Sequence, residues 1–253
     1  MLLVIDIGNS NIVCGLFDNN QWIEQFRMHT EAKKTEDEYE VIFRTLLSSR
    51  KIPPKQIQKI VISSVVPSLT NSISKMVMNL TEINPLIINP TIYPKLDICI
   101  STPYDIGTDL VANAVAAHKK YMDNCIVIDF GTALSFTVIQ SNGNLLGVTI
   151  APGLETAMES LSNKTAQLPH VELAAPHSFI GKNTVHAMQA GVVLGYRGLI
   201  ESLVEGITSE LQGPTQVVAT GGLASVIYPI TKCFTAIEPS LTLDGLRIIG
   251  NAF

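Results

Sequence analysis

Charge is scarce in this sequence. Charged residues are only 15% of 253, and the balance is acidic, with 17 Lys and Arg against 22 Asp and Glu. Nucleic-acid binders normally carry a basic face, so that class is disfavoured. The short pairs Lys33-Lys34 and Lys51/Lys55 read as solvated surface. Cysteine is scarce too: Cys14, Cys99, Cys125 and Cys233 form no CxxC pair. That excludes a zinc site built on closely spaced ligands and suits buried free thiols in a reducing cytosol. No apolar run reaches the ~18–20 residues that span a bilayer, so no membrane association is expected. The opening Met1-Leu2-Leu3-Val4-Ile5-Asp6 lacks a basic region and soon meets an acid, so it does not read as a signal peptide. The five histidines show no triad or metal spacing, and no Gly-x-Ser-x-Gly elbow is present. Gly181-Lys182-Asn183-Thr184 is not a P-loop, because Pro176 stands at the first glycine position and Asn183 follows the lysine.

The hydrophobic fraction is 46%, enough for a sizeable core. The informative feature is an internal repeat. Leu3-Val4-Ile5-Asp6-Ile7-Gly8-Asn9 returns as Ile126-Val127-Ile128-Asp129-Phe130-Gly131-Thr132. Each copy continues with an apolar stretch, a polar turn (Asp18-Asn19-Asn20; Asn142-Gly143-Asn144) and a second apolar stretch. Both read as strand, Gly turn, strand, polar turn, strand. Two similar α/β halves are therefore expected, residues 1–117 and 118–253, joined near 114–124. Thr35-Glu36-Asp37-Glu38 is a capping box that opens a helix carrying Tyr39, Ile42, Phe43, Leu46 and Leu47. Ile60–Val66 reads as a strand ended by Pro67, Leu69–Leu80 as a helix, and Val185–Leu211 as a long helical stretch broken near Gly206. Gln216–Ala219 reads as a strand running into Thr220-Gly221-Gly222.

A carboxylate at the end of a buried strand is expensive unless it is paired. Asp6 before Gly8-Asn9-Ser10-Asn11 fits a magnesium-bound phosphate, since Mg²⁺ uses one or two carboxylates plus phosphate oxygens. Gly8 would let the backbone turn close to that phosphate. An ordinary Asx hairpin turn would look the same in isolation. The second copy, Asp129-Phe130-Gly131-Thr132, favours a nucleotide phosphate tail gripped from two sides. Thr220-Gly221-Gly222 would lay backbone against a ligand ring or sugar. Gly107-Thr108-Asp109 precedes a helix over Leu110–Tyr121, with Asp109 in its first turn, as a helix cap or as a reactive carboxylate.

Two Asp-x-Gly turns and a late Gly-Gly resemble the actin-like ATPase superfamily of sugar kinases, acetate kinase and Hsp70. More narrowly, the chain resembles the type III pantothenate kinases along nearly its whole length. The matching stretches are Asp6-Ile7-Gly8-Asn9-Ser10, Arg27 with Thr30 and Asp37-Glu38, Ser64-Val65-Val66-Pro67 and Gly107-Thr108-Asp109. They continue with Asp129-Phe130-Gly131-Thr132-Ala133, Ile150-Ala151-Pro152-Gly153, Thr184 with Ala187 and Gly191, and Thr220-Gly221-Gly222. The resemblance implies a duplicated actin-like (ribonuclease H-like) fold with a nucleotide cleft between its halves. It also implies ATP-dependent phosphorylation of pantothenate at its 4′-hydroxyl, the first step of coenzyme A synthesis. Asp109 would be the general base. Asp6, Ile7, Gly8, Asn9, Ser10, Asn11, Ile12, Val13, Thr132, Gly221 and Gly222 would bind ATP, with Mg²⁺ at Asp6. Gly107, Thr108, Asp109 and Leu110 would bind pantothenate, and Thr184 would reach it across a homodimer interface. Asp129 would hold a monovalent cation, K⁺ or NH₄⁺. Two departures stand out: Leu110 replaces the family's Arg after the Asp, and Ile100 replaces its Tyr three residues before Pro103. They leave room for a kinase of the same superfamily acting on another small acid or sugar. A non-catalytic, nucleotide-binding accessory protein is the other alternative.

Overall fold

The structure, a computed structural model, describes all 253 residues. It divides into two compact units, Met1–Ala116 with Leu241–Phe253, and Ala117–Ser240. The repeat is plain in the topology of both.

In the first unit, β1 (Leu2–Ile7), β2 (Asn11–Asp18) and β3 (Gln21–His29) form an antiparallel meander. The β2–β3 link is a two-residue turn at Asn19 and Asn20, both at positive φ. Asparagine tolerates that conformation, and such turns match the twist of a hairpin. On the other side β1 pairs in parallel with β4 (Lys59–Ser64), and β4 with β5 (Leu86–Ile87), so the order is β3-β2-β1-β4-β5. A two-residue strand, β6 (Cys99–Ile100), follows. The capping box opens α1 (Glu36–Ser49) as expected, with Thr35 and Glu38 exchanging hydrogen bonds. Tyr39, Phe43 and Leu47 are its buried stripe. Strand β4 ends two residues earlier than the apolar run suggests. Ser64 Oγ accepts from Val66 N (3.2 Å) and turns the chain out of the sheet, and Pro67 opens α2 (Pro67–Thr81) as its first residue.

In the second unit the order is β9-β8-β7-β10-β11, the same arrangement with the same sense in every pair. Its strands are β7 (Asn124–Phe130), β8 (Ala133–Ile139), β9 (Asn144–Pro152), β10 (Thr215–Thr220) and β11 (Ala236–Ile237). The remaining helices of the chain are α3 (Thr108–Tyr121), inside which the division between units falls, α4 (Leu154–Lys164), α5 (Thr184–Gln189), α6 (Gly195–Glu210), α7 (Ala224–Ile227) and α8 (Leu241–Asn251). None is long and apolar enough to cross a membrane.

Three features depart from the sequence reading. The long helical stretch is not broken at Gly206, which lies inside α6; a lone glycine costs a helix only about 1 kcal/mol. The irregularity is a π-turn at Ala190–Leu194. It turns the helix face so that Met188 and Val192 enter one cluster while Val193, Ile200 and Val204 enter another. Cys99, on the two-residue strand β6, is exposed and Cys233, in a loop, is half-buried; only Cys14 and Cys125, on strands inside the sheets, are buried thiols. The last helix, α8, belongs to the first unit and not to the second. Leu243, Leu246 and Ile249 bury there, Trp22 Nε1 donates to Asp244 Oδ1 (3.1 Å), and Arg247 lies 4.6 Å over the Phe17 ring. Gly15 makes room for the Trp22 ring, and Gly245 lets α8 press directly on the backbone at Ala112.

Candidate functional site

Each unit carries its own glycine turn at the C-terminal edge of its sheet, where ligands of open α/β sheets bind. In the first unit, Asp6 is the penultimate residue of β1, opposite Val13 on β2 and Ser63 on β4. The turn after it is closed by Gly8 N donating to Asn11 O (3.0 Å). A Cβ on residue 8 would lie 3.1 Å from that carbonyl, so a larger residue would press on the turn. Thr30, the residue after β3, clamps it: its Oγ1 donates to Gly8 O (2.7 Å) and its N to Ser10 O (2.9 Å). Asn9 and Asn11 are exposed, whereas Ile7 and Ile12 are core, so those two can offer a ligand only their backbone. Cys14 lies behind this edge, its thiol pushed far up by burial and then by the charge of Asp6, and it stays neutral.

Thr108 brings Asp109 to the same edge. Its hydroxyl shares a hydrogen bond with Ser63 Oγ (2.9 Å) and accepts from Ser64 N (3.1 Å), pinning the start of α3 to the end of β4. Because Ser63 faces Asp6 in the register, the two acidic motifs of the first unit are neighbours in the fold. The Asp109 carboxylate folds back on its own helix, Oδ1 accepting from Leu110 N (2.9 Å). A Cβ on residue 107 would sit 2.5 Å from Asp109 Oδ1, so any side chain there would displace that carboxylate. Burial raises the Asp109 pKa above the usual carboxylate value; the N–H groups of Leu110 and of Asp109 itself oppose that shift. A half-desolvated carboxylate with raised basicity is what a general base needs.

The second unit repeats the construction. Asp129 is the penultimate residue of β7, opposite Ser135 on β8 and Thr220 on β10. Gly131 N donates to Ala133 O (3.1 Å), a turn one residue tighter than its counterpart. Thr132 is exposed, and its carbonyl accepts from Gly153 N (2.9 Å) and Thr156 Oγ1 (2.7 Å) at the start of α4. Gly153 is packed so closely that any side chain would overlap the carbonyls of Gly131 and Thr132. Gly221, at φ +89°, presses its backbone against Asp129 and Phe130, and Gly222 is exposed with open space around it. Asp129, Thr132, Gly221 and Gly222 therefore gather at one edge.

Thr184 does not join them. It is exposed at the first turn of α5 and lines a groove of about 780 Å³ with Leu161, Leu168, Gly181, Ala187 and Tyr196. Asn183 caps α5 by accepting from His186 N (2.9 Å), so the Gly-Lys-Asn-Thr stretch is a helix start. Thr156, which sequence reasoning overlooked, has no signature beyond being a Thr in a first helical turn. The anchoring role of Ser63 was hidden likewise, because it depends on a partner 45 residues away.

The sequence model of the type III pantothenate kinase family matches residues 2–206. A type III pantothenate kinase of Myxococcus xanthus is 40% identical over 249 residues, covering 98% of this chain and 97% of that one. This chain belongs to the type III pantothenate kinase family. Among solved structures, a Campylobacter jejuni protein described as a Baf family transcriptional activator superposes with a TM-score of 0.60 at 20% identity, covering 98% of this chain and 96% of that one. MreB 5 of Spiroplasma citri, solved with AMPPNP, gives 0.55 at 9% identity, covering 99% and 96%. Identities that low speak for the fold alone, and the fold is the duplicated actin-like one that the family resemblance implies.

Proposed function

We infer that the chain transfers the γ-phosphoryl group of ATP to the 4′-hydroxyl of pantothenate in the cytoplasm, opening coenzyme A synthesis. The carrying observation is the half-buried, basicity-raised carboxylate of Asp109, held by Thr108 beside the Asp6 turn. Family membership supports the substrate. In this reading the turn from Asp6 to Val13, with Thr132, Gly221 and Gly222, takes ATP. Gly107, Thr108 and Leu110 seat pantothenate, and Asp109 accepts the proton of its attacking hydroxyl, a role worth typically 10²–10⁴-fold in rate. With Leu110 in place of Arg, backbone and hydroxyl donors must meet the acceptor's carboxylate.

The residues present suit the ions. No cluster of three or more His, Cys, Asp or Glu exists to cage a metal. A lone carboxylate at Asp6 fits Mg²⁺, which takes most of its ligands from phosphate and water and would neutralise phosphate charge there. Asp129, backed by Gly221, is the counterpart for K⁺ or NH₄⁺. The deciding assay follows ADP formation with ATP, Mg²⁺ and a panel of hydroxylated acids and sugars. Pantothenate should be the acceptor used, faster in K⁺ or NH₄⁺ than in Na⁺, and Asp129→Ala should leave a residual rate indifferent to that exchange. Turnover of a sugar but not pantothenate would overturn the substrate, and full activity in Na⁺ the cation.

The reading extends to a homodimer in which Thr184 serves the acceptor site of the partner. Its support is the exposed apolar surface about Thr184, where Phe179 and Ile180 are more than 70% exposed and Val185 is exposed beside them. Thr184→Ala should raise KM for pantothenate about tenfold, on the order of 1–3 kcal/mol for a charged group losing a donor. Mixing inactive Asp109→Asn chains with Thr184→Ala chains should restore activity, because one site of each mixed dimer is then whole. No recovery despite demonstrated subunit exchange would place both residues in one chain's site.

A further inference from the structure

Arg27 stands among the residues that match the family pattern, with no role attached to it. Its place in the sheet supplies one. The register sets Ser63, Asp6, Val13 and Arg27 in one row across β4, β1, β2 and β3. The residues flanking the last three, Ile5 and Ile7, Ile12 and Cys14, Phe26 and Met28, all enter the core cluster on one face. Side chains alternate along a strand, so Asp6, Val13 and Arg27 emerge together on the other face. The next row inward is Val4, Gly15 and Gln25, and there α8 packs on that face: a Cβ on Gly15 would sit 3.2 Å from Leu243 Cδ1. At the edge beyond it, Asp6 and Val13 are half-buried and Arg27 is exposed. Of the five arginines, Arg44, Arg50, Arg197 and Arg247 pair with Glu40, Glu24, Glu201 and Asp244, whereas Arg27 pairs with no carboxylate. A charge on an edge strand needs no partner to keep the edge soluble. This one, however, shares its row and its face with the Asp6 turn. Strands lie about 4.8 Å apart, so Arg27 starts about 10 Å from Asp6 with only the uncharged Val13 between them.

We propose that Arg27 binds the β-phosphate of the nucleotide and takes up the charge that gathers there as the γ-phosphoryl group leaves. The order along the row decides which phosphate it meets. Thr108 ties Asp109, and with it the acceptor, to the Ser63 end. Arg27 stands at the opposite end with Asp6 between them, which is the leaving-group side. In the transfer, the acceptor oxygen bonds to the γ-phosphorus and its proton passes to Asp109. The bond from that phosphorus to the bridging oxygen breaks, and its electron pair stays on the β-phosphate of ADP. A guanidinium at that place interacts more strongly as the bond breaks, and that difference speeds the step. Its planar fork also suits a pair of phosphate oxygens.

The proposal rests on the Asp6 turn being the nucleotide site, and binding measurements keep the two apart. ADP and AMP differ by the β-phosphate, and both can be titrated calorimetrically with Mg²⁺ and no acceptor. Arg27→Gln should weaken ADP about 10- to 100-fold, the worth of one hydrogen-bonded charge pair, and leave AMP within twofold. Turnover should fall about 10²-fold, with KM for pantothenate within twofold. The melting temperature should hold, because Arg27 is exposed and has no ion pair to lose. Arg44→Gln, which removes a cation from α1, should change none of these. Val13→Lys added to Arg27→Gln returns a cation to the same row, one strand nearer Asp6, and should recover most of the ADP affinity. Unchanged ADP affinity in Arg27→Gln would overturn the proposal. An equal loss of ADP and AMP would do so too, since it would make Arg27 a support of the fold. A double variant that melts normally and recovers nothing would also count against it. If the wild-type protein binds neither nucleotide, the nucleotide site fails first and this inference with it.

Discussion

Asp109→Asn should lower kcat by 10²-fold or more while leaving ADP binding within about twofold. The substitution keeps size and the contact with Leu110 N, and removes only the basicity. A second consequence follows from the sign of the pKa shift. The folded-state pKa of Asp109 lies above its unfolded value, so the folded state holds the proton more tightly between the two. Stability from this group is present below the unfolded pKa and is lost as pH rises through the folded one. At neutral pH the ionised carboxylate therefore burdens the fold, and Asp109→Asn should melt at the same temperature or higher. Wild-type kcat should decline on acidification at a higher pH than an exposed aspartate would give, and the variant's residual rate should lack that decline. Normal turnover in Asp109→Asn, measured by coupled ADP release, would reduce Asp109 to a helix cap.

Gly221→Ala should be nearly as damaging through the second unit. The new methyl would meet Asp129 Oδ1, Phe130 N and Phe130 O, each at 2.7 Å, at a backbone φ of +89°. The conformational term alone is worth roughly 1–2 kcal/mol for an L side chain. The overlap adds to it, because its partners are the backbone of β7 and a carboxylate on that strand. A total on the order of 2–4 kcal/mol should lower the melting temperature by several degrees. Nucleotide affinity should fall tenfold or more, read by ADP titration of the folded fraction. Gly222→Ala, with open space around the added methyl, is the control that should leave the melting temperature in place. An unaltered melt and ADP affinity in Gly221→Ala would mean that this backbone yields freely and has no part in holding nucleotide.

The repeat was legible because it is local: strand, glycine turn and hairpin each have their own pattern, and the two copies confirm each other. Thr35 with Glu38 was legible for the same reason, since a capping box lies within four residues. Asp109's place in a first helical turn could be read, but not its desolvation, which depends on what packs over it. The π-turn went unseen because Ala190–Leu194 has helical residues at helical spacing, and only the division of the core into two clusters requires the extra residue. The return of α8 was invisible because an amphipathic helix does not name the sheet it will cover.

That return sets an order of assembly. Residues Ala117–Ser240 are contiguous, so everything the second unit needs has been made before α8 exists. The first unit is begun earlier and yet waits for α8: until Leu243, Leu246 and Ile249 arrive, β1 and β4 lack the cover that this helix gives them. Domains generally fold in the order of synthesis. Here the unit that starts first is completed last, and the Asp6 turn and Asp109 stand on a sheet that is sealed only once α8 has been made.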